Sequence, residues 1–357
     1  MGSSKQDGSS QLTVGMTDEW FEKEGMRREP EAWEDGSRVD NEPGRFEWWY
    51  FDAHLDDGSI VVAMLFSKYH SNIQVPCTPL VQLSITAPDG KIYANDETFT
   101  KADFYAETST CDVQVGKTWI RGDLEHYTLH FEVKDMAADL TLERIVPSWR
   151  PGTGKCYFGR TLQDYFGWIV PVPYGRVTGT ITYNGAAHEV SGVGYHDHNF
   201  GNIAITKIID HWYWGRLTIA DYNSIFFQLI STKKYGSEPL PLFMFAKGSE
   251  MLTGDGSKLA IEEGEFIKHA GGKSYPKTLA FRWQDGDRKI TISLSNPQVI
   301  ESNSLLKGFS PLKRAIARLL VNPYYFRFNA DTDLAIEFDD IHDNQRDKAI
   351  YENMLLR

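Results

Sequence analysis

The sequence predicts a nearly all-β protein built from two antiparallel barrels or sandwiches, with few helices. Three observations point there. Short runs of alternating apolar and polar residues recur from Arg45 almost to the C-terminus. Turn signals separate them: Asp57-Gly58, Pro88-Asp89-Gly90 and Asn184-Gly185. Helical periodicity is scarce, whereas about 16 short strands at the spacing of antiparallel sheets can be counted. A chain of 357 residues, 41% hydrophobic and 13% aromatic, has the length for two domains and the apolar content for real cores.

Residues 1–42 are polar and charged, with Trp20 and Trp33 as isolated docking points, and form an N-terminal extension whose first dozen residues read as disordered. Phe46–Leu55 alternates, Asp57-Gly58 turns, and 60–69 runs back as a hairpin. A second turn lies between 80–87 and 91–93. In 127–133 Tyr127, Leu129, Phe131 and Val133 oppose polar neighbours, a half-buried strand. Residues 176–183 repeat the theme, and a type I′ turn leads into 189–199. After a hinge at 199–210 the alternation resumes at 211–220, 224–232, 240–247, 278–283, 289–295 and 334–338. The expected domains are therefore 43–203 and 204–357. One helix is predicted, over 311–321, where Leu312, Ala315, Ile316, Leu319 and Leu320 oppose Lys313, Arg314 and Arg318. It is expected to cover an open barrel end, with transient membrane-surface contact as the other reading.

A net charge of −12 argues against a nucleic-acid partner, because phosphate binding needs a basic face. No apolar run approaches the roughly 18 residues of a membrane span. The N-terminus lacks the apolar core of a signal peptide, so a cytoplasmic protein is expected. Three widely spaced cysteines, with no CxxC, speak against a disulfide framework or a metal ribbon. No GxSxG, P-loop or Rossmann-type glycine motif supports a hydrolase or nucleotide site. Arg150, Arg160 and Arg176 are isolated and are expected to be ion-paired.

Two stretches carry the chemistry. Phe46-Glu47-Trp48-Trp49-Tyr50-Phe51-Asp52 packs aromatic rings and carboxylates into a strand with rings on both faces. Gly194-Tyr195-His196-Asp197-His198-Asn199 sets a phenol, an acid, two imidazoles and an amide in a row. Period-two geometry separates Tyr195, Asp197 and Asn199 from His196 and His198. Parity carried forward from Val190 turns the histidines inward, but a bulge at Gly192 or Gly194 would flip them, and the sequence leaves both orientations open. An aspartic acid among aromatic rings is desolvated and retains its proton, which makes Asp197 a candidate general acid. The plainer reading is a polar strand end at a barrel rim. Aromatics are also usually core residues, yet Trp48, Trp49 and Tyr50, with His211, Trp212 and Trp214 in the second half, are candidates to line a ligand pocket. Ring faces stabilise a cation by about 0.5–2 kcal/mol each. A zinc site on His196, His198 and His211 is disfavoured, because neither a cysteine pair nor HExxH-type spacing accompanies them. No metal or other cofactor is expected.

With Trp168-Ile169-Val170-Pro171 and the closing Ile350-Tyr351-Glu352, these motifs resemble the carotenoid 1,2-hydratase (hydroxyneurosporene synthase) family, which includes the AttH-like proteins. The likeness spans roughly residues 43–355. It implies two lipocalin-like β-barrel domains and a role in hydrating isoprenoid or prenylated compounds, or in directing cyclisation and cycloaddition. The proposed acid of the hydratases corresponds to Asp197, with Tyr195 and Trp168 beside it. Where those hydratases carry a histidine two residues before the tryptophan, this chain has Phe166. That departure leaves room for His196, His198 or His211 to substitute, or for a cyclisation that needs no water. The expectation is acid-catalysed hydration or cyclisation of a small hydrophobic olefinic metabolite, with Asp197, Tyr195 and Trp168 catalytic and Trp48, Trp49, Tyr50, Phe166, His196, His198, Asn199, His211, Trp212 and Trp214 binding substrate. The rival readings are a lipophile carrier and a pericyclase.

Overall fold

Alternating apolar residues at period two have one stable use here, which is to face a shared core from one side of a curled sheet. The computed structural model describes residues 11–304 and 323–357, so the helix expected at 311–321 lies outside the described residues. The described residues divide into two units, Thr13–Ile205 and Thr206–Arg357 with Gln11 and Leu12. Each is a curled antiparallel sheet of the lipocalin-like kind.

The N-terminal unit contains β1 (Phe46–Leu55), β2 (Ile60–Phe66), β3 (Leu80–Thr86), β4 (Ile92–Thr98), β5 (Phe104–Ala106), β6 (Cys111–Val115), β7 (Thr118–Gly122), β8 (His126–Val133), β9 (Met136–Arg144), β10 (Asp164–Tyr183) and β11 (Ala186–Gly201). They are ordered β4-β3-β2-β1-β11-β10-β9-β8-β7-β6-β5. The sheet curls until its flanks meet around one core: Phe51 of β1 stacks on Phe131 of β8 at 6.4 Å. Lys134, in the β8–β9 turn, donates to Asn95 of β4 at 3.1 Å.

The pairing of β10 with β11 slips twice, between Ile169 and Val172 and between Val172 and Gly175. Pro171 and Pro173 lie in these slips, where a residue without an N–H costs no ladder bond. Each slip inserts one residue into β10, so Trp168 and Val172, which share parity in sequence, face opposite sides of the sheet. On β11 the pairing with β1 is unbroken from Gly192 to Gly201. Gly192 and Gly194 are there for close approach and not for a bulge: a Cβ on Gly192 would lie 2.3 Å from the His54 carbonyl oxygen.

In the polar N-terminal segment the described residues, from Gln11, include regular elements. A short helix, α1 (Asp18–Glu24), opens with two acids and stops at Gly25, which takes the left-handed conformation at φ 65°. A 3₁₀ turn at Ala32–Asp35 follows, started by a capping box between Glu31 and Glu34. Glu34 pairs with Arg150, each side chain at most 3% exposed, and Arg150 also donates to the Gly152 carbonyl at 2.6 Å. Removing one partner of such a buried pair costs far more than an exposed pair contributes. The pair clamps the segment to the barrel. Arg176 is ion-paired with Glu143, and Arg160 is exposed with no ion pair among the described residues.

The C-terminal unit contains β12 (Ile209–Ile219), β13 (Tyr222–Ser231), β14 (Pro239–Lys247), β15 (Glu250–Thr253), β16 (Leu259–Glu263), β17 (Thr278–Asp285), β18 (Arg288–Ser304), β19 (Tyr324–Phe338) and β20 (Ile341–Leu355). Their order is β15-β14-β13-β12-β20-β19-β18-β17-β16. Its core gathers Tyr213, Phe226, Phe243, Phe281, Phe328 and Tyr351, among others. The sequence reading missed β20 and caught only the end of β19, because Asp-Asn-Gln-Arg-Asp-Lys (343–348) carries no apolar face.

Candidate active site

Strands β1, β11 and β10 lie side by side, and directly opposed residues share a face. Asp197 opposes Tyr50, Tyr195 opposes Asp52, and Asn199 lies between Trp48 on β1 and Trp168 on β10. These residues form the face turned away from the N-terminal core. His196 opposes Phe51 and Val172, and His198 opposes Trp49 and Ile169, on the core-facing side. The unbroken register thus preserves the parity from Val190, and the histidines point inward.

On the outer face Asp197 is 7% exposed and collects three neutral donors. Tyr195 Oη donates to its Oδ2 at 2.6 Å, Trp168 Nε1 to the same oxygen at 3.1 Å, and Asn199 Nδ2 to Oδ1 at 2.7 Å. Burial raises the Asp197 carboxyl above its ordinary value. The Tyr195 and Trp168 bonds, the neighbouring His196 charge and the Asn199 bond offset part of that rise. Tyr50 donates to Asp52 at 2.9 Å and meets the Tyr195 ring edge-on at 6.0 Å. Trp48 stacks on Phe46 at 5.6 Å and packs against Phe166 at 6.0 Å and His70 at 5.3 Å. The site offers an acid raised by burial and set among aromatic rings, and its side-chain hydrogen bonds among the described residues come from neutral groups.

His70 escaped the sequence reading. Burial holds its imidazole down to about 4, and its Nδ1 is buried with no hydrogen-bond partner among the described residues. The nearest signal was Tyr69-His70, beyond the end of β2, two residues past a buried lysine.

The core-facing side carries a second polar group. Asp35, Glu47, His196 and His198 are all fully buried. Asp35 Oδ2 accepts from Tyr127 Oη at 2.6 Å and faces His196 Nε2 at 3.1 Å, while His196 Nδ1 donates to the Tyr50 carbonyl at 2.7 Å. His198 Nε2 lies 2.9 Å from Glu47 Oε1, and its Nδ1 is 3.6 Å from Asp35 Oδ1. Trp49 stacks on His198 at 4.5 Å and donates from Nε1 to the Asp35 carbonyl at 3.0 Å. Trp49, His196 and His198 are therefore built into the barrel interior and are not brought together with Asp197. Asp35 and Glu34 were missed because the imidazole and the guanidinium that face them lie more than 100 residues away in sequence. The only local hint was Trp33-Glu34-Asp35 in an otherwise polar stretch.

Asp35, Cys111 and His196 place possible ligand atoms within 4.8 Å of one another. Both ring nitrogens of His196 are already committed, and burial pushes the Cys111 thiol well above its ordinary value. The cluster fits a hydrogen-bonded network and not a metal centre.

His211, Trp212 and Trp214 belong to β12 of the C-terminal unit. Trp212 and Trp214 lie on the face of β12 opposite the core residues Tyr213 and Leu217, with Trp214 directly opposed to Glu352 of β20. Burial lowers the His211 imidazole below its ordinary value, partly offset by the Asp210 charge.

A family model described as AttH-like matches residues 40–301. The hydroxyneurosporene dehydrogenase of Chlorobaculum tepidum is 25% identical over 66% of this chain and 70% of its own length. The quinolone epoxide rearrangement protein asqO of Emericella nidulans is 23% identical over 70% of this chain and 72% of its own. Among solved structures, kievitone hydratase from Nectria haematococca superposes with a TM-score of 0.55 at 13% identity, covering 97% of each chain. With the two lipocalin-like units and the matched motifs in place, the chain belongs to the AttH-like family.

Proposed function

We propose that this protein catalyses proton-initiated hydration or cyclisation of a hydrophobic olefinic metabolite, with Asp197 as the acid. One observation carries the reading: a buried carboxyl, raised by burial, held by three neutral donors on an aromatic face. Neutral donors orient an acid without forcing it to ionise, and aromatic walls favour an apolar substrate over water.

In the proposed reaction Asp197 transfers its proton to an alkene carbon, leaving a carbocation on the more substituted carbon. The ring faces of Trp48 and Tyr50 stabilise that cation, and Tyr195 and Trp168 hold the carboxylate just formed. Water then adds to the cation to give an alcohol, or an internal nucleophile adds to give a ring. The proton released at that step returns to Asp197, so the acid is regenerated and atoms balance. The relatives named as a hydratase and as a rearrangement protein support this class of chemistry. None of the steps calls for a cofactor.

The test is mass spectrometry of wild-type protein and Asp197→Asn with a panel of prenylated and linear isoprenoid olefins in heavy-oxygen water. Label incorporated by wild type alone supports a hydratase, and an unlabelled isomer formed by wild type alone supports a cyclase. Equal turnover by Asp197→Asn sinks the assignment. Ligand retained by both proteins without any product would replace it with a carrier.

A further inference from the structure

Strand β11 presents its acid on one face and is anchored by histidines on the other, and the anchor is supplied from outside the sheet. Asp35, in the 3₁₀ turn of the N-terminal segment, reaches His196 through Oδ2, and Tyr127 of β8 donates to that same oxygen at 2.6 Å. The Tyr50 carbonyl can only accept, so His196 Nδ1 carries a proton; Nε2, facing a carboxylate, carries the other. His196 is thereby an imidazolium paired with a buried carboxylate, one residue from Asp197.

We propose that Asp35 is a positioning residue for Asp197, acting through His196 to fix the pitch of β11 and to place a cation behind the acid. The inference rests on reading Asp197 as the acid and names what sets its orientation and strength. Burial would push the His196 imidazole down, but the Asp35 charge and hydrogen bond and the Tyr50 carbonyl carry it above its ordinary value. The same partnership takes Asp35 below its ordinary value against the pull of burial. The groups that face His196 are Asp35, Tyr127, the Tyr50 carbonyl and Val172, with Cys111 of β6 close by as a thiol. His198 and Glu47 continue the network along the strands. Among the described residues Asp35 is the one carboxylate hydrogen-bonded to His196.

Trp168 provides a reporter that needs no substrate, because its indole N–H is bonded to Asp197 Oδ2. The experiment is a pH titration of the Trp168 indole ¹H–¹⁵N resonance in the full-length protein, assigned by its loss in Trp168→Phe. In Asp197→Asn the resonance is expected to be flat. In Asp35→Asn His196 loses its carboxylate and becomes neutral, so Asp197 loses a neighbouring cation. The midpoint is then expected to rise by about one pH unit or more, the scale of one close charge. His196→Gln removes the cation directly, should Asp35→Asn fail to fold, and is expected to shift the midpoint in the same direction. A folded variant whose midpoint matches wild type overturns the inference. So does a Trp168 resonance that titrates unchanged in Asp197→Asn. Because no turnover is read, this result stands or falls apart from the olefin assay.

Discussion

Each unit carries an acid on the sheet face opposite its core, the buried Asp197 in one and the half-buried Glu352 in the other, and the two have contrasting surroundings. In the N-terminal unit Asp197 is bonded to a phenol, an indole and an amide, all neutral. In the C-terminal unit Glu352 accepts from Tyr325 Oη at 2.6 Å, and it lies directly between Arg327 of β19 and Trp214 of β12. Arg216, two residues along β12, places its guanidinium 5.5 Å from the Trp214 ring. Burial raises both carboxyls above their ordinary values. For Glu352 the bond from Tyr325 and the charges of Arg327 and Arg216 pull the other way. Neutral donors and guanidiniums both favour the ionised form, but a guanidinium adds a full positive charge to that pull, so burial alone does not make a proton donor. In the proposed reaction Asp197 delivers the proton, whereas Glu352 sits beside the charges of Arg327 and Arg216.

The largest effect should follow loss of the acid. Asp197→Asn keeps the acceptor oxygen but removes the proton, and turnover should fall by about 10²–10⁴-fold, the usual range for a general acid. Steady-state rates on the substrate found by the olefin panel check this. Trp168→Phe keeps the ring wall but removes one donor to Asp197. A fall of about tenfold is expected, matching one hydrogen bond. Glu352→Gln should leave turnover within about threefold of wild type, below the effect of a single lost hydrogen bond. A loss on the Asp197 scale would collapse the distinction between the two acids.

The smallest effect is thermodynamic. A raised carboxyl favours the fold while protonated, fully so below its ordinary value of 3.8, and that contribution is lost as pH rises through the folded value. Asp197→Asn, which cannot ionise, should therefore melt above wild type at neutral pH. The gap should close as pH falls toward 3.8. Thermal unfolding across that window reads it. A variant less stable than wild type at neutral pH would mean that the buried acid is not under strain.

The architecture was largely legible because period-two alternation is a local signal. Phe46–Leu55 was read residue for residue, but β5, β6, β7, β9, β15 and β16 were not named, and β10 and β19 begin about ten residues before the stretches read for them. The polar strand β20 escaped because its 343–348 stretch is exposed and has no apolar face to alternate. Asp197, Tyr195 and Asn199 could be grouped by parity alone, but the approach of Trp168 depends on two one-residue slips in β10 that only the pairing reveals. Asp35 was illegible for a different reason. Its value to the site comes from a contact with His196, 161 residues distant, and no local pattern encodes that.

The central claim is that Asp197 delivers a proton to carbon, and turnover in deuterium oxide tests it most directly. The account predicts one carbon-bound deuterium per product molecule with wild-type protein, the same with Glu352→Gln, and no product above background with Asp197→Asn. Product formed by wild type without any carbon-bound deuterium would contradict it and point to a reaction driven by shape alone.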